Sequence, residues 1–107
     1  MKLVSWNVNG LRAIQKKGFE EYLQQSNADI FCLQETKLQQ EQVALTAEGY
    51  HTYWSFAEKK GYSGTALFCR REPLSVEHGI GHPLDSEGRT VTAEFDQFYV
   101  VCCYTPN

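Results

Sequence analysis

The sequence predicts an α+β fold, a mixed β-sheet flanked by helices, on three observations. Residues 2–9 alternate in side-chain character at the two-residue period of a strand. Phe19, Tyr22, Leu23 and Ser26 recur at the helical interval. Beyond residue 50, short runs rich in β-branched and aromatic residues follow one another with brief polar breaks. The 107 residues suffice for one core and leave no room for two.

In the first strand, Leu3, Ser5, Asn7 and Asn9 share one face and Val4, Trp6 and Val8 the other, so two amides point the same way. Asn9-Gly10 breaks it, and Leu11 to Ile14 can start a short helical turn. The helix after Gly18 carries Glu20 and Glu21 in its first turn, where the backbone dipole favours acids. Ile30-Phe31-Cys32-Leu33 is a buried strand, and the polar Gln34-Glu35-Thr36-Lys37 marks its exit from the core, which places Glu35 at a rim. Gln39 to Ala47 carries a thin apolar line of Val43, Ala44 and Ala47 and predicts a short surface helix.

Tyr50 to Phe56 and the segment Ser63 to Cys69 read as strands separated by a charged turn, Glu58 to Tyr62. Leu74 to Glu77 is a brief strand, followed by a loop from Gly79 to Gly88. Arg89 to Phe95 and Phe98 to Tyr104 form a hairpin about Asp96-Gln97. The late strands are antiparallel, while the first two, joined by a helix, are parallel. Val100 to Cys103 is apolar on both faces, so the second sheet face wants a cover, and no further segment is left to supply it.

The net charge of −3 argues weakly against a simple nucleic-acid module, because phosphate binding is driven by Lys and Arg. An enzyme that cuts phosphodiesters, however, gathers carboxylates around a cation, and basic pairs stand at Lys16-Lys17, Lys59-Lys60 and Arg70-Arg71. Cys32, Cys69, Cys102 and Cys103 show no CxxC spacing and lie in apolar segments, as buried free thiols do. His78 and His82 are separated by glycines that oppose a helical metal clamp. With no signal-peptide core and no run of membrane-spanning length, the expected location is cytoplasmic.

Five stretches carry a more specific likeness: Trp6-Asn7-Val8-Asn9-Gly10-Leu11-Arg12, Leu33-Gln34-Glu35-Thr36-Lys37, Gly61-Tyr62-Ser63-Gly64, Glu87-Gly88-Arg89 and Tyr104-Thr105-Pro106-Asn107. In this order they resemble the N-terminal half of exonuclease III-type apurinic/apyrimidinic endonucleases, of the DNase I-like endonuclease/exonuclease/phosphatase superfamily. The resemblance implies that residues 1–107 are the N-terminal portion of a single such domain, half of a two-sheet β-sandwich with outer helices.

By that resemblance Glu35 ligates Mg2+, or Mn2+ in its place, as a hard oxygen donor for a hard cation. Asn7 lines the same pocket as a catalytic residue and a further metal contact, and Asn9 stands where many relatives carry Asp in the metal's outer shell. Tyr104 reaches the scissile phosphate and Asn107 helps to position it, while Tyr62, Arg89 and Arg12 approach the DNA backbone. The implied partner is double-stranded DNA with abasic sites or 3′ ends. The implied activity is metal-dependent hydrolysis on the 5′ side of abasic sites and at 3′ ends, in base-excision repair. In the family the groups that activate water lie beyond the Tyr-x-Pro-Asn motif, so the 107 residues alone are expected to cut little.

Two rival readings stay open at the level of sequence. One is a superfamily phosphatase or phosphodiesterase acting on another phosphate ester. The other is a non-catalytic binding or assembly fragment that self-associates through an uncovered sheet face.

Overall fold

The computed structural model describes residues 1–79 and 87–105. The interior of the expected Gly79–Gly88 loop, His82 and Asn107 therefore lie outside the described residues. Strand β1 spans Leu3–Asn7, helix α1 Leu11–Gln15, helix α2 Phe19–Ser26 and strand β2 Ile30–Gln34. Five further strands follow: β3 His51–Ser55, β4 Thr65–Cys69, β5 Ser75–His78, β6 Thr90–Glu94 and β7 Tyr99–Cys103.

The strands form two sheets. The first has the order β1-β2-β4-β3, with β1 parallel to β2 and the other pairs antiparallel. The second is the antiparallel run β5-β6-β7, whose β6–β7 turn is the expected hairpin: Glu94 faces Tyr99, and Phe95 N–H donates to Phe98 O at 2.8 Å. Strands β5 to β7 thus stack on the first sheet and supply its cover, as the two-sheet sandwich implied by the resemblance has it, rather than extending the single mixed sheet and leaving its second face bare, as the residue pattern alone suggests. Period-two alternation explains this: Val91, Ala93, Val100 and Cys102 turn inward onto Ile30, Cys32, Leu67 and Cys69.

The opposite face of the first sheet packs on the helices. Phe31, Leu33, Ala66 and Phe68 meet Leu11, Phe19 and Leu23, with Val4, Trp6 and Trp54 completing the layer. Phe19 stands edge-on to both Phe31 and Phe68, the geometry that ring quadrupoles favour. Helix α2 ends at Asn27, whose φ of 51° is the left-handed conformation that asparagine tolerates at a helix terminus.

Two further expectations are corrected. Gln39 to Ala47 is not a helix: beyond one 3-10 turn at Gln40–Gln42 it is irregular, and Val43, Leu45 and Ala47 alternate inward against the helical layer. Cys103 is exposed on the outer face of β7, whereas Cys32, Cys69 and Cys102 are the expected buried free thiols.

Candidate functional site

Because β1 and β2 run parallel, Asn7 and Gln34 end side by side, and Gln34 pairs with Thr65 at the start of β4. Thr90, at the start of β6, pairs with Cys103, at the end of β7, which leaves Arg89 and Tyr104 adjacent. Tyr104 N–H donates to Arg89 O at 2.8 Å. Strand ends from both sheets therefore deliver side chains to one rim, held by rigid elements.

Glu35 is central there. Its Oε1 accepts from Asn7 Nδ2 at 3.4 Å, and Lys37 Nζ stands 3.7 Å from its Oε2. Asn7 Oδ1 in turn accepts the Asn9 backbone N–H at 3.0 Å, which orients the amide with nitrogen toward the carboxylate. Asn9 Oδ1 accepts from Lys37 Nζ at 2.8 Å. Asn7 thus touches Glu35 directly, and Asn9 reaches it through the ammonium.

The carboxylate is not sealed away, since the Glu35 side chain keeps 21% of its surface. Its neighbour Tyr104 has a phenol held above its ordinary pKa, first by hydrogen bonding to Glu35, then by burial and by the Glu35 charge. At neutral pH Tyr104 is therefore a proton donor beside a carboxylate.

A second cluster adjoins the first. Arg89 Nη2 donates to Tyr62 OH at 2.9 Å, its Nε donates to Glu87 Oε1 at 2.9 Å with Nη2 also within 2.7 Å of that oxygen as an ion pair, and the guanidinium lies 5.7 Å from the centre of the Tyr104 ring. Gly88 sets this up: with φ +62° and Ala57 N only 2.5 Å from where a Cβ would stand, residue 88 accepts no side chain without displacing backbone. Lys59 Nζ sits over the Tyr62 ring at 5.3 Å, which makes this flank basic and aromatic together.

Arg12 is not part of either cluster. It is exposed on α1 beside Gln15, Lys16, Gln42 and Ala44. Sequence reading missed Lys37, Glu87 and the buried Thr36 as members or supports of the site, although all three belong to the stretches that carry the resemblance. A 220 Å³ cavity between the sheets, lined by Ile30, Cys69, Arg70, Arg71, Phe95 and Phe98 among others, lies at the other end of the strands and contains none of these groups.

The donor set suits a hard cation. An ammonium already stands between a carboxylate oxygen and an amide oxygen, in the place where a small hydrated dication would find the same oxygens. No group of three or more His, Cys, Asp or Glu gathers among the described residues, so an ion here would keep most of its waters.

The chain is thus a two-sheet sandwich with an outer helical layer that gathers one oxygen-rich rim at its strand ends. The chain belongs to the endonuclease/exonuclease/phosphatase family, which residues 4–104 match. It is 58% identical over 109 residues to the exodeoxyribonuclease of Bacillus subtilis, covering all of this chain and 43% of that protein. To the DNA repair nuclease APEX1 of Danio rerio it is 46% identical over 113 residues, covering 100% of this chain and 36% of the other. The catalytic domain of Xenopus laevis APE2 superimposes with a TM-score of 0.83 at 32% identity, covering 100% of this chain and 46% of that domain. The chain thus spans less than half the length of the relatives it matches.

Proposed function

We propose that this chain carries the cation-binding part of the active site of a metal-dependent nuclease. Its substrate in the complete protein is double-stranded DNA, cut at abasic sites and trimmed at 3′ ends in base-excision repair. Residues 1–107 are then the N-terminal part of a single domain. The observation that carries this reading is the convergence of Glu35, Asn7, Asn9 and Tyr104 at one partly open rim.

In this reading Glu35 binds Mg2+, with Mn2+ as a substitute, and Asn9 Oδ1 faces the ion's water shell. The ion, when bound, neutralises charge developing on a phosphate. Asn7 holds the carboxylate in place through its Nδ2 and belongs to the pocket wall rather than to the ligands. The protonated Tyr104 phenol donates to a phosphate oxygen, a role that the raised pKa supports. Tyr62 and Arg89 meet the DNA backbone from the adjoining cluster, and Arg12 from the flank of α1; such contacts place the duplex without reading its sequence. Asn107 keeps the positioning role that the family resemblance implies.

The test is a nicking assay on an abasic duplex with Mg2+, using this chain and a form extended to the length of its relatives. Glu35-dependent, chelator-sensitive nicking by the extended form is expected, with little from the 107 residues. Nicking by the extended form that ignores both Glu35→Gln and chelator sinks the metal assignment. Turnover of simple phosphate esters in preference to DNA would favour the phosphatase reading. Exposed Tyr99 and Val101 on β7, the terminal strand of the second sheet, support self-association. Light scattering that shows no concentration dependence, with or without Val101→Lys, removes that partner.

A further inference from the structure

The segment that presents Glu35 is bent against its own preferences. Glu35 and Lys37 have φ of 54° and 57°, a left-handed conformation that side chains rarely adopt, so something must hold them there. Two loops grip the backbone from opposite sides. Gly10 N–H donates to Glu35 O at 2.7 Å and Leu11 N–H to Thr36 O at 2.9 Å. From the other side, Gly64 O accepts Thr36 N–H at 3.0 Å and Ser63 O accepts Lys37 N–H at 2.8 Å.

The Ser63-Gly64 grip is the tighter sterically. Thr36 is 1% exposed, and a Cβ on Gly64 would stand 2.4 Å from its Oγ1 and 3.4 Å from Lys37 N. Thr36 Oγ1 and Ser63 Oγ are both buried without a hydrogen-bond partner among the described residues, a cost with no return in stability. Ser63 itself is left-handed at φ 52°. Polar, strained and close-packed together, this contact is poorly explained as a device for folding alone. It also adjoins Tyr62 in the chain, so it ties the Arg89–Tyr62 cluster to the carboxylate.

We propose that Ser63 and Gly64 are positioning residues for the cation site: their carbonyls and the bare Cα of Gly64 set where the Glu35 carboxylate points. This deepens the cation-binding reading and rests on it. Outer supports of metal ligands typically change affinity about 10- to 100-fold when altered, whereas a purely structural turn changes stability and leaves affinity alone.

The experiment is Tb3+ binding to the 107-residue chain, read by emission sensitised through the nearby tyrosines, with circular dichroism to confirm the fold. Glu35→Gln should abolish the binding. Gly64→Ala should weaken it about tenfold or more with the fold kept, and adding Thr36→Ala should recover part of the loss, because the clashing hydroxyl is gone. Wild-type affinity in Gly64→Ala, with binding lost in Glu35→Gln, overturns this inference and leaves the cation site standing. Emission that survives Glu35→Gln overturns both. Should Gly64→Ala fail to fold, Ser63→Gly decides, since glycine accepts the left-handed backbone at 63 but no longer holds it rigid: weakened Tb3+ binding supports the grip and unchanged binding refutes it.

Discussion

Replacing Lys37 with methionine removes the ammonium between Asn9 and Glu35 while keeping an unbranched stem. Without a bound ion, Lys37 Nζ lies 2.8 Å from Asn9 Oδ1 and 3.7 Å from Glu35 Oε2, and its side chain is 40% exposed. So open a pairing is worth only about 0.2–1 kcal/mol, and folding in chelator should suffer by no more than that. Cation binding responds more strongly. Two unit charges about 4 Å apart in water repel by about 1 kcal/mol, hence about 2 kcal/mol for a dication, before salt screening. Lys37→Met should therefore bind Mg2+ about 5- to 30-fold more tightly at low salt, with the gain shrinking as salt is raised. Calorimetric titration of Mg2+ into both proteins measures this. An affinity that is unchanged or weaker would show that the ammonium is not in the ion's place.

Three further outcomes are expected. The Tyr104 phenol, raised by Glu35, should titrate above the ordinary tyrosine range and fall back toward it in Glu35→Gln, followed by phenolate absorbance. Because its pKa is raised by folding, any stability it contributes is whole below the ordinary value and lost as pH climbs through the raised one. Of the 4 cysteines, Cys103 alone should react quickly with a disulfide reagent in the native chain, since the others are buried. Hydrogen bonding with Cys102 and then burial push the Cys32 thiol up and keep it protonated, and burial pushes Cys69 up to about 11; rapid labelling of more than one thiol without denaturant would contradict the packing. Phe68→Ala, which empties a fully buried site against Phe19 and Trp54, should cost about 3–5 kcal/mol in urea unfolding. A loss under about 1 kcal/mol would mean that the two aromatic neighbours refill the space.

The strands were legible wherever one side chain in two is apolar. Leu3 to Asn7 and Thr90 to Glu94 form strands that sequence alternation foretold. The segment 39–47 was misread because Val43, Ala44 and Ala47 fit a helix, while the competing pattern of Val43, Leu45 and Ala47 fits an extended chain. The second pattern is the one that is half-buried against the core. Two sheets in place of one could not be read from β5 to β7, since inward alternation looks the same whether a strand extends a sheet or stacks on another.

At the site, Glu35 and Asn7 were visible as polar residues at strand exits. Lys37 and Thr36 were not, because Glu35 and Lys37 are left-handed and the period-two rule fails across them. Glu87 drew no notice because its part depends on Arg89, brought beside it by the turn at Gly88.

Four of the five left-handed non-glycine residues described, Asn9, Glu35, Lys37 and Ser63, crowd the same rim. Unfavourable torsions of this kind cost about 1–3 kcal/mol each, less for asparagine. Laboratory evolution that rewards heat resistance and ignores ion binding should accordingly drift to glycine at 35, 37 and 63, trading the chemistry of the rim for an easier backbone.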